Sequence, residues 1–293
     1  MEVKDVSSLY LVLVGQPGSI TKAVITDLAL ACSGPVWLAQ ETACITEVPA
    51  SAAQGLKDLL PEHALDWLLT PRAPKPAKLF LADMDSTMIT AECIDELAGF
   101  AGIKAEVSAV TEAAMRGELD FEAALKSRVA LLKGLKTSVL EECYRDKVHF
   151  SDGARIAVQT MRAHGTYCAL VSGGFTFFTE RVAVGLGFHE QRANRLEEKD
   201  GHLTGKVITP ISNANTKLSA LETHSARLEI SPDQSLAVGD GANDIPMLEA
   251  AGLGVAYRAK PNTKAAADCA IDKTDLTSLL YFQGITQAGH ASL

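Results

Sequence analysis

The 293-residue sequence predicts an α/β fold: a doubly wound parallel-sheet core, an inserted helical cap and a small N-terminal α+β domain. Three observations predict it. Three short apolar runs each stop at a polar cluster, helical patterns lie between them, and a long strand-free segment separates the first run from the second. The length, beyond one compact domain, agrees with that division.

Residues 1–72 read as the N-terminal unit. LYLVLV is a strand, GQPG a turn and ITKAVITDLALAC a helix, followed by extended segments around Pro35 to Val48 and a short helix. TPRAPKPAK, Thr70 to Lys78, carries three prolines and suits an exposed boundary. The core is expected at 73–89 and 151–293. LFLA has the size of a buried parallel strand and ends at Asp83; YCALV runs into Ser172-Gly173-Gly174, and SLAV into Gly239-Asp240-Gly241-Ala242-Asn243-Asp244. In open α/β sheets, sites form at the carboxyl ends of strands. DGARIAVQTMRAHG predicts a helix capped by Asp152 and closed at Gly165, and NDIPMLEAAG a shorter one. Asp200-Gly201 within NRLEEKDGHLTGKVI predicts a β-hairpin. Residues 90–150, rich in Ala, Leu, Glu and Lys with helical periodicity, are the predicted cap.

Composition narrows the function. A net charge of −9 disfavours nucleic acid and anionic membranes, although one cleft can be locally positive around a divalent cation. Six scattered cysteines without a C-x-x-C pair read as reduced core residues. The opening apolar run is too short for a signal peptide or membrane span, so a cytoplasmic setting is expected; LYFQG near the end reads as native helix. GQPGSITK lacks the Gly-Lys-Ser/Thr of a phosphate loop, the seven histidines show no zinc spacing, and GDGAND lacks the spacing of a calcium loop.

Asp83 and Asp85, two positions apart past a strand, can aim both carboxylates into one cleft. An isolated D-x-D is more often a turn with capping aspartates, S-G-G a turn, and a lone lysine such as Lys217 solvated surface. Together, DMDST (Asp83 to Thr87), VSGG (Val171 to Gly174), Lys217 and GDGAND (Gly239 to Asp244) resemble the four motifs of the haloacid dehalogenase superfamily, in order, over about Leu79 to Ala256. MITAECIDELA and MRGELDFEAALKSRVALLKGL resemble the phosphoserine phosphatases within it.

That resemblance implies hydrolysis of a small phosphorylated metabolite, O-phospho-L-serine, in the last step of serine biosynthesis. Uncatalysed phosphate monoester hydrolysis can need up to ~10²¹-fold acceleration, and one acid/base group supplies ~10²- to 10⁴-fold, so charge neutralisation by a cation must contribute. Asp83 is then the nucleophile, giving an aspartyl-phosphate, and Asp85 the acid that protonates the seryl oxygen and later the base on water. Mg²⁺ would be held by Asp83, the Asp85 backbone carbonyl and Asp240. Ser172, the Gly173 N–H, Lys217 and Asn243 would bind phosphate or substrate, and Asp244 would orient Lys217, water or the metal shell. Glu92 would accept from the substrate ammonium and Arg128 hold its carboxylate, where helix charges are otherwise usually solvated; Met115 and Phe121 would form an apolar wall.

Two other readings use the same residues. A related phosphotransferase, or a phosphatase for another small phosphoester, would differ only in the cap, and a non-catalytic amino-acid sensor would have damaged motifs. The N-terminal unit resembles a partial ACT-type regulatory domain and equally suits a dimerisation module or simple packing support; a homodimer is an expectation of the dimerisation reading.

Overall fold

The computed structural model describes residues 7–28, 34–115 and 120–292, with side chains 112–115 left aside. The N-terminal unit runs β1 (Ser8–Val14), α1 (Lys22–Asp27), β2 (Val36–Ala39), β3 (Ala43–Pro49), α2 (Ala53–Leu59) and β4 (Asp66–Thr70). The core strand β5 (Leu79–Ala82) follows, then the helices α3 (Cys93–Ala101), α4 (Lys104–Met115), α5 (Phe121–Leu131) and α6 (Ser138–Lys147). The chain returns through α7 (Ala154–Ala163), β6 (Tyr167–Phe175), α8 (Thr176–Leu186) and the hairpin of β7 (Glu190–Lys199) and β8 (His202–Ile208). It closes with α9 (Ala214–Arg227), β9 (Ser235–Gly239), α10 (Ile245–Ala250), β10 (Leu253–Tyr257), α11 (Pro261–Ala266), β11 (Cys269–Ile271) and α12 (Ser278–Tyr281). No helix among the described residues is long and apolar enough to cross a membrane.

All these strands join one sheet, ordered β2-β3-β1-β4-β11-β10-β9-β5-β6-β7-β8. The stretch from β11 to β7 is parallel and both ends are antiparallel. β5 is buried at every position, as a central strand covered on both faces must be. It pairs with β6 on one side and β9 on the other, with Ala82 opposite both Leu170 and Val238. That register brings the polar ends of the three strands side by side, where connections leave in opposite directions.

The helices α3 to α6 are fastened at two places. Their entry and exit pair through the bridge Ile89↔Phe150, with the Thr90 N–H donating to the His149 carbonyl and the Ser151 N–H to the Met88 carbonyl, each at 3.0 Å. At the far end, the loop after α5 exchanges backbone bonds with the hairpin, Gly134 N–H to Leu203 O and Leu203 N–H to Leu135 O, both 2.8 Å. Asp200 and Gly201 at the hairpin turn both have positive φ, the backbone of the tight turn that D-G favours. One apolar cluster runs from Leu97, Leu125 and Val129 in these helices to Phe80, Leu170 and Val238 in the sheet.

Three expectations are corrected. α7 is capped by Gly153 (φ 76°), not Asp152; a Cβ at Gly153 would lie 2.7 Å from both Asp275 Oδ1 and Thr277 N, so the helix begins one residue later. The proline-rich segment is exposed or partly exposed as expected at every residue but one: Ala77 is buried, its N–H bonded to Gln283 Oε1 and its carbonyl to Thr166 Oγ1. The N-terminal unit also has a further strand, β4, that pairs with β1 and reaches β11 through Trp67↔Ala270. Cys44, Cys93, Cys143, Cys168 and Cys269 are free and buried, while Cys32 lies outside the described residues.

Asp66, at the start of β4, fixes that junction. Its buried carboxylate accepts the backbone N–H groups of Asp272, Lys273 and Thr274 and the Thr274 hydroxyl at 2.6 Å. Asp66→Ala strands these donors, so it should lower unfolding stability by about 3 kcal/mol. Urea denaturation of the full chain checks this, and a midpoint equal to that of wild type would contradict it.

Candidate active site

Past β5 the chain makes an irregular turn, Met84–Met88, in which Asp85 is extended and Ser86 takes a left-handed conformation (φ 54°). The Asp83 N–H is still bonded to the Val238 carbonyl, so the sheet fixes its position, and the turn swings Asp85 toward β6. A cavity of about 640 Å³ opens there, lined among others by Asp83, Asp85, Glu92, Arg128, Ser172 and Asp240. It is bounded below by strand ends and above by α3, α4 and α5.

Lys217, completely buried on α9, anchors the floor. Its Nζ lies 2.7 Å from Asp83 Oδ1 and 2.5 Å from Asp244 Oδ1. Burial alone would push the ammonium pKa down, but Asp244 and Asp83 outweigh it and hold it above the ordinary lysine value. Asp244 also accepts the N–H groups of Asp240 and Gly241, so its carboxylate is occupied in holding the loop and the lysine. Burial first, and then the charge of Asp244, push the Asp83 carboxyl well above its usual range against the pull of Lys217. Asp240, bonded by Thr87 Oγ1 at 3.4 Å, is pushed up to about 6 by burial and by Asp244.

Asp83, Asp240 and Asp244 each offer an oxygen within 4.8 Å of the others. Despite its charge contact with Lys217, buried Asp83 Oδ1 has no aligned hydrogen-bond donor among the described residues. Carboxylates that crowd one another and leave such an oxygen unsatisfied suit a hard divalent cation, which prefers oxygen ligands. Asp244 already spends its oxygens on three donors, which favours Asp83 and Asp240 as side-chain ligands.

Asp85 faces the other way. Oδ1 accepts the Cys93 N–H at 2.9 Å and Oδ2 the Ser172 hydroxyl at 3.3 Å. Burial raises its pKa against those donors, which favours a carboxyl able to carry a proton. Ser172 Oγ also accepts the Gly174 N–H, and a Cβ on Gly174 would lie 2.5 Å from Asp85 Oδ2, so only glycine admits the carboxylate. Gly173 and Asn243 line the cavity with Phe121 against Gly173; the Met115 side chain lies outside the described residues.

Also in the lining, Glu92 accepts the Ser86 hydroxyl at 2.6 Å, and enclosure followed by the charge of Asp85 pushes its carboxyl up to about 7. Arg128 on α5 is half-buried; burial lowers its pKa, opposed by Asp95, Glu92 and Asp85. Of the predicted side chains, Asp83, Asp85, Glu92, Phe121, Arg128, Ser172, Asp240 and Asn243 line this cavity, while Lys217 and Asp244 are buried outside its lining, Lys217 in contact with Asp83.

Sequence reasoning missed the support beneath Ser172. Asn194, wholly buried on β7, donates to the Gly173 carbonyl at 2.8 Å and accepts the Ser212 N–H at 2.7 Å, while Ser212 Oγ donates to the Ser172 carbonyl. An Asn in a charged strand gives no local signal of this. Asp95, Thr111 and Lys260, also missed, complete the lining.

The haloacid dehalogenase-like hydrolase profile matches residues 80–249. A phosphoserine phosphatase of Polaromonas sp. is 48% identical over 208 residues, 69% of this chain and 88% of that protein. Among solved structures, a HAD family hydrolase from Salmonella enterica serovar Typhi is 31% identical with a TM-score of 0.84, covering 94% of this chain and 98% of its own. A probable phosphoserine phosphatase from Vibrio cholerae, in unliganded form, is 31% identical with a TM-score of 0.77, covering 97% of this chain and 88% of its own.

Proposed function

The chain belongs to the haloacid dehalogenase-like hydrolase family, and on that premise we propose how its residues let it act as a phosphoserine phosphatase, releasing L-serine and phosphate. One observation carries the residue assignment: a single cavity is lined by Asp83, which Lys217 contacts from beneath, and also by Glu92 and Arg128. The first pair suits phosphoryl transfer. The second suits an ammonium and a carboxylate, the two charges of a seryl headgroup.

Asp83 attacks phosphorus in line as the bond to the seryl oxygen breaks, and Asp85 gives that oxygen its proton. The aspartyl-phosphate is then opened by water, whose proton returns to Asp85, restoring both carboxyls. Lys217, held by Asp244, offsets charge on the phosphoryl oxygens, and the Gly173 N–H and Ser172 hydroxyl are placed to donate to them once Ser172 turns from Asp85. A divalent cation, proposed as Mg²⁺ and held by Asp83, Asp240 and the Asp85 carbonyl, supplies further neutralisation of that charge. Asn243 orients substrate at the rim.

Arg128→Ala is the test of substrate choice. A charge-assisted pair of about 1.5–3 kcal/mol corresponds to a loss of roughly 10- to 100-fold in kcat/KM for phosphoserine. Phosphoethanolamine, which lacks the carboxylate, should be hydrolysed unchanged. An equal loss on both substrates would remove Arg128 from headgroup recognition.

The division into 1–72, a core of 73–89 with 151–293, and a cap of 90–150 belongs to the same proposal, with the N-terminal unit as an ACT-like regulatory or pairing module. Free, buried cysteines support a reducing, cytoplasmic setting, and association of two copies through the N-terminal unit completes the reading.

A further inference from the structure

The active-site cavity has an electrostatic problem. Its lining includes the carboxylates of Asp83, Asp85, Glu92, Asp95 and Asp240, yet the substrate is a phosphate dianion that also carries a carboxylate. Lys217 lies beneath the floor with no exposed surface, so it cannot meet a ligand at the entrance. Among the described lining residues the cations are Arg128, on the headgroup wall, and Lys260.

Lys260 is exposed and stands on the loop between β10 and α11, on the side of Asp240. Its position is fixed. Its N–H donates to the Asp240 carbonyl at 3.2 Å, Arg258 two residues earlier is bonded to the Ile271 carbonyl, and Pro261 starts α11 directly after it. Its charge also pulls against the burial that raises the Asp240 carboxyl.

We propose that Lys260 is the phosphate-recruiting residue of the entrance: its ammonium meets the phosphoryl group of incoming substrate, and the departing orthophosphate, on the phosphate side of the cavity. The assignment rests on the phosphomonoesterase reading above. An exposed cation at a cleft mouth acts mainly on encounter and weak binding, and salt screens it. Substitution of the side chain leaves the backbone bond to Asp240 in place, so the fold of the loop is kept.

The test uses full-length, Mg²⁺-supplemented enzyme. Lys260→Gln should lower kcat/KM for phosphoserine about 5- to 10-fold at low ionic strength, with kcat held within about twofold. It should flatten the salt dependence of kcat/KM and raise the inhibition constant of inorganic phosphate by a similar factor. Lys260→Arg should restore all three. A Lys260→Gln enzyme with wild-type salt dependence and a wild-type phosphate constant would overturn the proposal, as would a fall in kcat alone. Absence of phosphoserine turnover in the wild type would instead overturn the reading on which it rests.

Discussion

Asp83→Asn is expected to reduce kcat by roughly 10⁴-fold or more, the scale seen when a nucleophile that acts as part of a unit is removed. The amide keeps the shape of the side chain and the backbone bond from the Asp83 N–H to Val238, so the cavity should survive. The loss should come with a gain in stability. Burial and Asp244 raise the Asp83 carboxyl above its unfolded value. The stability associated with this group is therefore full below the unfolded-state pKa and lost as pH rises through the higher folded one. At neutral pH the enclosed acid beside Asp244 therefore favours the fold less than at low pH, and an amide carries no such dependence. Without added divalent cation, the variant should melt at or above the wild-type temperature near pH 7, and adding Mg²⁺ should stabilise wild type more than the variant. Calorimetry with and without the metal, beside a phosphate-release assay, measures both. Retained magnesium-dependent turnover would exclude Asp83 as nucleophile.

Lys217→Ala has the largest expected cost to the fold. Lys217 is the counterion of two buried carboxylates, at 2.7 Å and 2.5 Å, and its removal leaves them facing each other across a void. Breaking a buried pair by deleting one partner costs about 3–5 kcal/mol, much of it the penalty of the charge left behind. Activity should vanish with it. Combining Lys217→Ala with Asp83→Asn should recover part of the stability, since one stranded charge is then gone, and urea unfolding of both variants reads this coupling. If Lys217→Ala alone unfolds at the wild-type midpoint, the lysine is not holding the floor together.

The candidate site was legible because it is built from local features. An apolar strand that stops at a polar residue can be seen in four or five letters, and the sheet order β9-β5-β6 brings three such endings together. Glu92 and Arg128 were reached through the resemblance, since helix charges carry no mark of the cavity they face. Features that depend on distant parts of the chain escaped. β4 and β11 are five and three residues long and pair across about 200 positions, so neither shows a periodic pattern. Asn194 looks like any polar strand residue until Ser212 and Gly173 are brought to it. Lys260 sits in R-A-K-P-N, the composition of an ordinary surface loop. Asp152 misled because D-G before a helix fits two cap positions, and the approach of Asp275 decides between them.

The join between β4 and β11 bears on how the enzyme behaves when shortened. Without residues 1–72, β11 would become the last strand of the core sheet, its outer backbone groups and the donors now satisfied by Asp66 open to water. Such a bare margin is a template for strand addition from a neighbouring chain. Self-association of a shortened enzyme would then reflect sticky, newly uncovered backbone, not the assembly of the intact protein. In this chain β4 of the N-terminal unit borders the core sheet at β11.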